Sequence, residues 1–243
     1  MIFSLNTKSV KCVVCKKTIV GEYTLDSWGN AAHKQHNNRL TEFCNSCYRI
    51  IDESSIFKSK TLIDGRRLCF QCSLTKVESI TVAQKSFREI KELYSKFNLN
   101  NIPDSVKLHL VHLPEMKRIS KSNSNHTRGL TGSQYTLIAN QRRFNHSIYL
   151  LMGLPKLEFD AVLAHEMLHV FLNENNISLQ YNEMEGFCNL GSYLIYARDK
   201  TKHGQVMLEH MERNPDFAYG VTFREMKSIL LKSGWRELIQ KIR

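Results

Sequence analysis

At 243 residues the chain has room for one domain of ordinary size and a smaller companion. With 42% hydrophobic and 23% charged residues it has a soluble, globular composition, and no apolar run approaches the ~18 residues a membrane helix needs. The net charge of +11 resembles a nucleic-acid signal, but residues 1–75 carry +5, 76–157 carry +8 and 158–243 carry −2, a distribution that reads first as solvated surface.

The start, MIFSLNTKSVKC, lacks the apolar core and small-residue cleavage site of a signal peptide, so the cytoplasm is the expected compartment. Six of the seven cysteines then fall before residue 75 as three C-x-x-C pairs, Cys12/Cys15, Cys44/Cys47 and Cys69/Cys72, with a H-x-x-H at His33 and His36. In a reducing compartment, repeated C-x-x-C marks thiolate metal ligands rather than disulfides. Eight ligands make two closed tetrahedral sites, and closed sites are structural. The economical pairing gives one zinc to Cys12, Cys15, His33 and His36 and the other to Cys44, Cys47, Cys69 and Cys72. The alternative for the two histidines is an ordinary surface role. The segment is poor in long apolar patterns, so metal is expected to hold it together.

Next, ITVAQKSFREIKELYSKF repeats Ala83, Phe87, Ile90, Tyr94 and Phe97 at steps of four and three, one face of a helix. Thr81 and Gln84 suggest a capping box, and Asn100 to Pro103 an end. This is expected to be a connecting helix within 76–98. VKLHLVHL (106–113) alternates like a strand, KRISKSNSNHTRG (117–129) reads as a polar surface loop, and YTLIAN and SIYLLMG read as two further strands. Pro155 precedes a helix from about Leu157 to Glu174, a second helix begins near Glu183, and REMKSILLKSGWRELIQKI gives two short helices parted at Gly234. No internal repeat is evident. A small sheet early and helices late make residues 99–243 an α+β domain.

The helix over 157–174 carries HEMLH, residues 165 to 169. Positions i and i+4 lie on one helix face, so His165 and His169 can aim at one point, with Glu166 rotated about 100° to stand beside it. Two metal ligands and an adjacent base are what H-E-x-x-H supplies in zinc peptidases. A satisfied pair of core histidines is the bland alternative. A catalytic zinc needs a third protein ligand and one open position. Glu174 is too close along the same helix, which leaves Glu183 and Glu185. Glu185 is preferred because Gly186 would let backbones approach closely. With such a centre, zinc activates water and polarises a peptide carbonyl, while Glu166 takes the proton and returns it to the leaving amine.

The first 75 residues resemble a LIM domain, including the Gly21-x-Tyr23 turn. His36 stands where a cysteine is usual, and seven residues rather than two separate it from Cys44. The remainder is similar to the LIM-linked, gluzincin-type peptidases known from plants as ubiquitin-activated regulators of organ size, and to compact bacterial-type relatives. The matching stretches are TRGLTGS (127–133), LMGLPKL, LAHEMLHVFL, EGFC (185–188) and YGVTFR (219–224). The resemblance implies a LIM-like module followed by a zincin-like metallopeptidase domain, with Glu185 as the third ligand. No ubiquitin-interacting motif is present, so ubiquitin control does not carry over.

Zinc peptidases often hold the oxyanion with a Tyr or His. Tyr219 is a candidate for that role, against the alternative of a buried structural tyrosine. Cys188 reads as core packing. The expected function is hydrolysis of peptide bonds in protein or peptide substrates, with one catalytic and two structural zinc ions. The LIM-like module would recruit a protein partner or restrain the site. The alternative is a non-catalytic zinc-binding adaptor. Neither a membrane nor a nucleic acid is an expected partner, since no aromatic-basic interleaving resembles an RNA platform.

Overall fold

The structure, a computed structural model, describes residues 9–36, 39–52, 58–139 and 141–243. The opening residues 1–8, which bear on the signal-peptide expectation, lie outside these, as do Asn37 and Asn38 between His36 and Cys44, and Asn140 at the end of YTLIAN. The architecture is mixed α and β, in two compact units, Met1–Thr75 and Lys76–Arg243.

The first unit is built from short two-stranded ladders: β1 (Tyr23–Leu25) with β2 (Ala31–His33), β3 (Gln35–His36) with β4 (Arg39–Leu40), and β5 (Lys60–Thr61) with β6 (Arg67–Leu68). A short helix, α1 (Phe70–Leu74), follows. Contrary to the sequence reading, the unit does contain a structural repeat. Cys12 N–H donates to Lys17 O and Lys16 N–H to Cys12 O, with a bridge between Lys11 and Thr18. Cys44 repeats the pattern with Arg49 O, Tyr48 N–H and a bridge between Phe43 and Ile50. Each turn closes through a residue of positive φ, Lys16 (64°) and Tyr48 (59°). Neither is the glycine or asparagine that usually marks such a position, which is why the repeat beyond C-x-x-C is invisible in the sequence.

The turn between β1 and β2 fastens the two halves of this unit together. The buried Asp26 accepts hydrogen bonds from Trp28 N, Asn30 N and Asn30 Nδ2, and from Ile50 N beyond the second turn. Trp28 Nε1 donates to Cys47 O at 2.7 Å, and the Arg49 guanidinium lies 3.8 Å from the Trp28 ring centroid.

The second unit opens with α2 (Ile80–Ser95), whose Ala83, Phe87, Ile90 and Tyr94 are buried as the periodicity requires. Its N-cap is Ser79, so Thr81 and Gln84 both lie within the helix and form no capping box, and it ends at Ser95, ahead of the Asn100–Pro103 stop. β7 (Lys107–Val111) is shorter than VKLHLVHL, because His112 caps α3 (Leu113–Ser120), with Pro114 in its first turn. The 117–129 segment is therefore helical at its start rather than loop throughout. Pro114 both ends the strand and opens the helix.

β8 (Gly129–Ile138) and β9 (Gln141–Leu151) form a long antiparallel hairpin, and β7 joins β9 in parallel to give the order β7-β9-β8. Beneath the sheet runs α4 (Lys156–Glu174), buried from Phe159 to Leu172 on nearly every side. Such all-round burial marks a core helix. α5 (Tyr181–Arg198) crosses it, followed by α6 (Lys202–Arg213), a π-helical turn over Phe217–Thr222, and α7 (Phe223–Lys241). The sequence reading missed α6 and the π-helical turn. α7 is interrupted at Gly234 (φ 78°), the predicted parting of two helices. Among the described residues no helix is long and apolar enough to cross a membrane.

Candidate metal centres

Three groups of side chains bring ligand atoms within 4.8 Å of one another: Cys12, Cys15, His33 and His36; Cys44, Cys47, Cys69 and Cys72; and His165, His169 and Glu185. Ligand spacing tests whether zinc fits them. With Zn–S of about 2.3 Å and Zn–N of about 2.05 Å, a tetrahedron places two sulfurs about 3.8 Å apart and a sulfur and nitrogen about 3.6 Å apart. The observed separations are 3.7 Å for Cys47 Sγ and Cys69 Sγ, 3.4 Å for Cys12 Sγ and His36 Nε2, and 3.5 Å for Cys15 Sγ and His33 Nδ1. Both first-unit groups have the dimensions of a closed zinc site, and the two histidines face sulfur rather than solvent alone.

Burial acts to raise Cys12, but the backbone amides of Cys15, His33 and Val14 outweigh it and bring the thiol to about 6, which favours the thiolate that zinc binds. In the four-cysteine group the thiols share protons: mutual hydrogen bonds lower Cys44 and Cys69 and raise Cys47 and Cys72.

The third group is assembled by two crossing helices. α4 presents His165 and His169 one turn apart, and α5 presents Glu185. Their ligand atoms form a triangle: 3.1 Å between the two Nε2 atoms, 3.2 Å from His165 Nε2 to Glu185 Oε2, and 3.8 Å from His169 Nε2 to Glu185 Oε2. A tetrahedral zinc with N and O ligands requires about 3.3 Å. Glu185 Oε2 is buried between the two imidazoles, 3.2 Å from His165 Nε2 but in no well-formed hydrogen bond, and a cation in the triangle would satisfy it. Glu183 lies outside this group; its carboxylate accepts from Gln180 N at the start of α5. Glu174, set aside for its position, meets His146 Nε2 at 3.0 Å.

Charge within the group is coupled. Burial would lower His165, but the Glu185 and Glu166 carboxylates beside it raise its pKa overall. Burial and the neighbouring His165 together depress His169 to about 4, leaving a neutral ring. Burial acts to raise Glu185, yet the two histidines hold it below the usual carboxylate range. Burial dominates at Glu166 and raises it, against the pull of His165 and Thr131.

Glu166 is not a ligand but a neighbour. Its Oε2 accepts from Thr131 Oγ1 at 2.7 Å, and the same hydroxyl lies 3.0 Å from Glu166 O. A Cβ on Gly129 would sit 2.7 Å from Glu166 Oε1 and 2.6 Å from Val162, so only glycine lets β8 lie this close to α4. On α5, a Cβ at Gly186 would meet Thr222 at 2.8 Å, which is the close approach expected of that glycine. It brings the π-helical turn against α5, and with it Tyr219. That side chain is 37% exposed, so the buried structural alternative is wrong. Its ring lies parallel to His165 with centroids 6.3 Å apart, and its hydroxyl is 3.4 Å from that of Tyr181. π-helical turns of this kind are frequent at functional sites.

Two positions escaped the sequence reading. Asn189 Oδ1 lies 3.0 Å from His165 Nδ1 while its Nδ2 donates to Tyr219 O at 3.0 Å. Asn189 is four residues past Glu185, on the same face of α5, and that spacing was its available signal. Gly191 lies where α5 crosses α4: a Cβ there would stand 2.7 Å from Ala164 O and 2.5 Å from Tyr94 Oη. Cys188 is fully buried in the core, and burial raises its thiol.

Residues 81–202, half of the chain, match the model of the DA1-like family, described as Protein DA1. The chain belongs to the DA1-like family. The match takes in α4, α5 and all of the His165, His169 and Glu185 group. This DA1-like chain is 26% identical to Protein DA1-related 1 of Arabidopsis thaliana, over 96% of its own length and 54% of that protein. It is 27% identical to Protein DA1 of the same plant, over 74% and 40%. It is 23% identical to the LIM domain-containing protein HDR3 of Oryza sativa subsp. japonica, over 96% and 60%. The chain thus spans about half the length of the curated relatives it matches. No solved structure matches it significantly.

Proposed function

We propose that this DA1-like chain is a gluzincin-type zinc metallopeptidase, with His165, His169 and Glu185 as ligands and Glu166 as general base. The observation that carries the reading is the triangle of His165 Nε2, His169 Nε2 and the buried Glu185 Oε2, with a second carboxylate, Glu166, next to His165 on α4. Zinc held there would supply a Lewis acid for a peptide carbonyl and lower the pKa of water. Glu166, raised by burial, is suited to take a proton from the attacking water and pass it to the leaving amine. The hydroxyl of Thr131 fixes that carboxylate, and Tyr219, on the far side of His165, is the candidate to donate to a developing oxyanion. β8 is the outer strand of the sheet, and its free edge beside Glu166 offers backbone groups to an extended peptide.

Two structural zinc ions would hold residues 1–75, whose LIM-like module recruits a protein partner or restrains the site. A Glu166→Gln variant should retain about three zinc ions per chain and lose proteolysis. Wild-type turnover in that variant would overturn the assignment. Two zincs per chain in the wild type, without turnover, would favour the non-catalytic adaptor.

A further inference from the structure

The sheet face that packs on α4 continues past the end of that helix. Along it lie Thr131, bonded to Glu166; Ser133 Oγ, which accepts from Asn173 Nδ2; and His146, paired with Glu174 at the last residue of α4. Side chains on one face recur every second residue, so the next pairs in register are Tyr135 with Phe144 and Leu137 with Arg142. Among the described residues nothing covers them: Tyr135 is 52% exposed and Leu137 67%.

This overhanging arm is ordered by its own contacts. The Tyr135 and Phe144 rings lie 5.7 Å apart, Phe144 stacks on His146 at 5.4 Å, and the Arg142 guanidinium is 5.0 Å from the Tyr135 centroid. β7 pairs with β9 only at Ser147–Leu151, so the arm is two-stranded, and among the described residues no strand pairs with the outer edge of β8. An exposed edge with aromatic and aliphatic side chains is a liability that proteins normally blunt. The arm's own charge is of one sign: from Gly129 to Leu151 the sequence has Arg142 and Arg143 and no aspartate or glutamate.

We infer that the β8–β9 arm is a docking surface for an acidic, extended segment of a polypeptide substrate, which adds as a strand to β8 away from the metal centre. The inference rests on the peptidase reading and names the substrate class. Charge complementarity selects an acidic partner. The open backbone edge and the aliphatic Leu137 select a polypeptide over nucleic acid, because a peptide strand can pair with that edge. A lipid surface would leave the edge unpaired, whereas β8 leads straight from Leu137 to Thr131 at Glu166. At about 3.3 Å per residue, that run is about 20 Å, so the acidic-apolar segment would lie about six residues from the bond to be cut.

The test uses the full zinc-loaded chain carrying Glu166→Gln and a short fluorescent peptide alternating glutamate with leucine. Its counterpart with lysine in place of glutamate, a single-stranded oligouridine, and phosphatidylserine vesicles serve as competitors. The acidic peptide should bind, and Arg142→Glu with Arg143→Glu, or Leu137→Ser alone, should weaken it by about tenfold while the melting temperature holds. Equal binding of the lysine peptide, indifference to both variants, or tighter binding of RNA or vesicles with the same sensitivity would overturn the inference. In the chain with Glu166 restored, the same variants should raise KM for the acidic, unfolded β-casein and leave kcat unchanged. Cleavage indifferent to the arm would remove the docking surface and keep the peptidase. Binding without cleavage of any substrate would instead remove the peptidase and the substrate role together.

Discussion

His165 and Asn189 are joined at 3.0 Å through Nδ1 and Oδ1, and the amide of Asn189 donates in turn to the Tyr219 carbonyl. The donation to Tyr219 O fixes which end of the amide is oxygen. His165 Nδ1 must then carry a proton, so that the neutral ring presents its Nε2 lone pair toward His169 and Glu185, as a metal ligand requires. One side chain thus sets the tautomer of a ligand and ties it to the π-helical turn. Asn189→Ala should weaken zinc at this centre by about 10–100-fold and leave the two cysteine-containing sites filled. Competition titration with a chromophoric chelator separates the classes. Unchanged affinity at the third site would reject the role.

Glu183 and Glu185 make opposite predictions, though they lie two residues apart. Glu183 binds the Gln180 amide at the start of α5, so Glu183→Ala should cost about 0.5–2 kcal/mol of stability, as lost caps do, and keep every zinc. Glu185→Ala should remove the third zinc. In the metal-free protein it should be destabilising, because it takes from the buried His165 the carboxylate that faces it at 3.2 Å. Metal content and urea midpoints of the two variants, measured with and without chelator, decide it.

The three candidate ligand groups were legible because metal chemistry imposes a spacing: C-x-x-C closes a tight turn around sulfur, and H-E-x-x-H follows one helical turn. The α2 face and the 157–174 helix were legible for the same periodic reason. Glu185 against Glu183 was not settled by spacing, since both could open a helix; the structure groups Glu185 with the two histidines and gives Glu183 the Gln180 amide. Thr131 and Gly129 act on Glu166 from 35 and 37 residues away in sequence, a pairing that depends on how β8 packs on α4 and leaves no local pattern, whereas Asn189 left only its spacing from Glu185. α3 was hidden because Pro114 reads as a breaker, although a proline in the first turn of a helix loses no hydrogen bond.

Gly191 carries a prediction about the crossing that builds the centre. Its hydrogen stands where a Cβ would press on Ala164 O, the carbonyl just before His165 that also accepts from Tyr94 Oη at 2.6 Å. Backbone cannot yield as a flexible side chain would, so Gly191→Ala should push α5 from α4. A loss of about 1–3 kcal/mol is expected, with weakened zinc at the third site. The Tyr94→Phe control keeps the packing and costs about 1 kcal/mol for the lost hydrogen bond. Equal zinc affinity in Gly191→Ala and wild type would show that the helices can part without disturbing the ligands.

Trp28 makes a corresponding prediction for the first unit, where little apolar core exists to absorb a loss. Its indole packs beside the four-cysteine cluster, donates to Cys47 O at 2.7 Å and lies under Arg49. Cys47 is expected to be a ligand, so this hydrogen bond fixes the turn that aims its sulfur. Trp28→Ala deletes a half-buried aromatic and its hydrogen bond, so it should cost about 2–4 kcal/mol, around the lower end for a full core aromatic, and should speed zinc release from the Cys44, Cys47, Cys69 and Cys72 site. Trp28→Phe keeps most of the packing and leaves Cys47 O without its donor, so it should cost about 1–3 kcal/mol. Stopped-flow transfer of zinc to a chelator would rank the three proteins, wild type slowest and alanine fastest. If both variants release this zinc at the wild-type rate, the cluster is held by its thiolates alone and the indole only fills space.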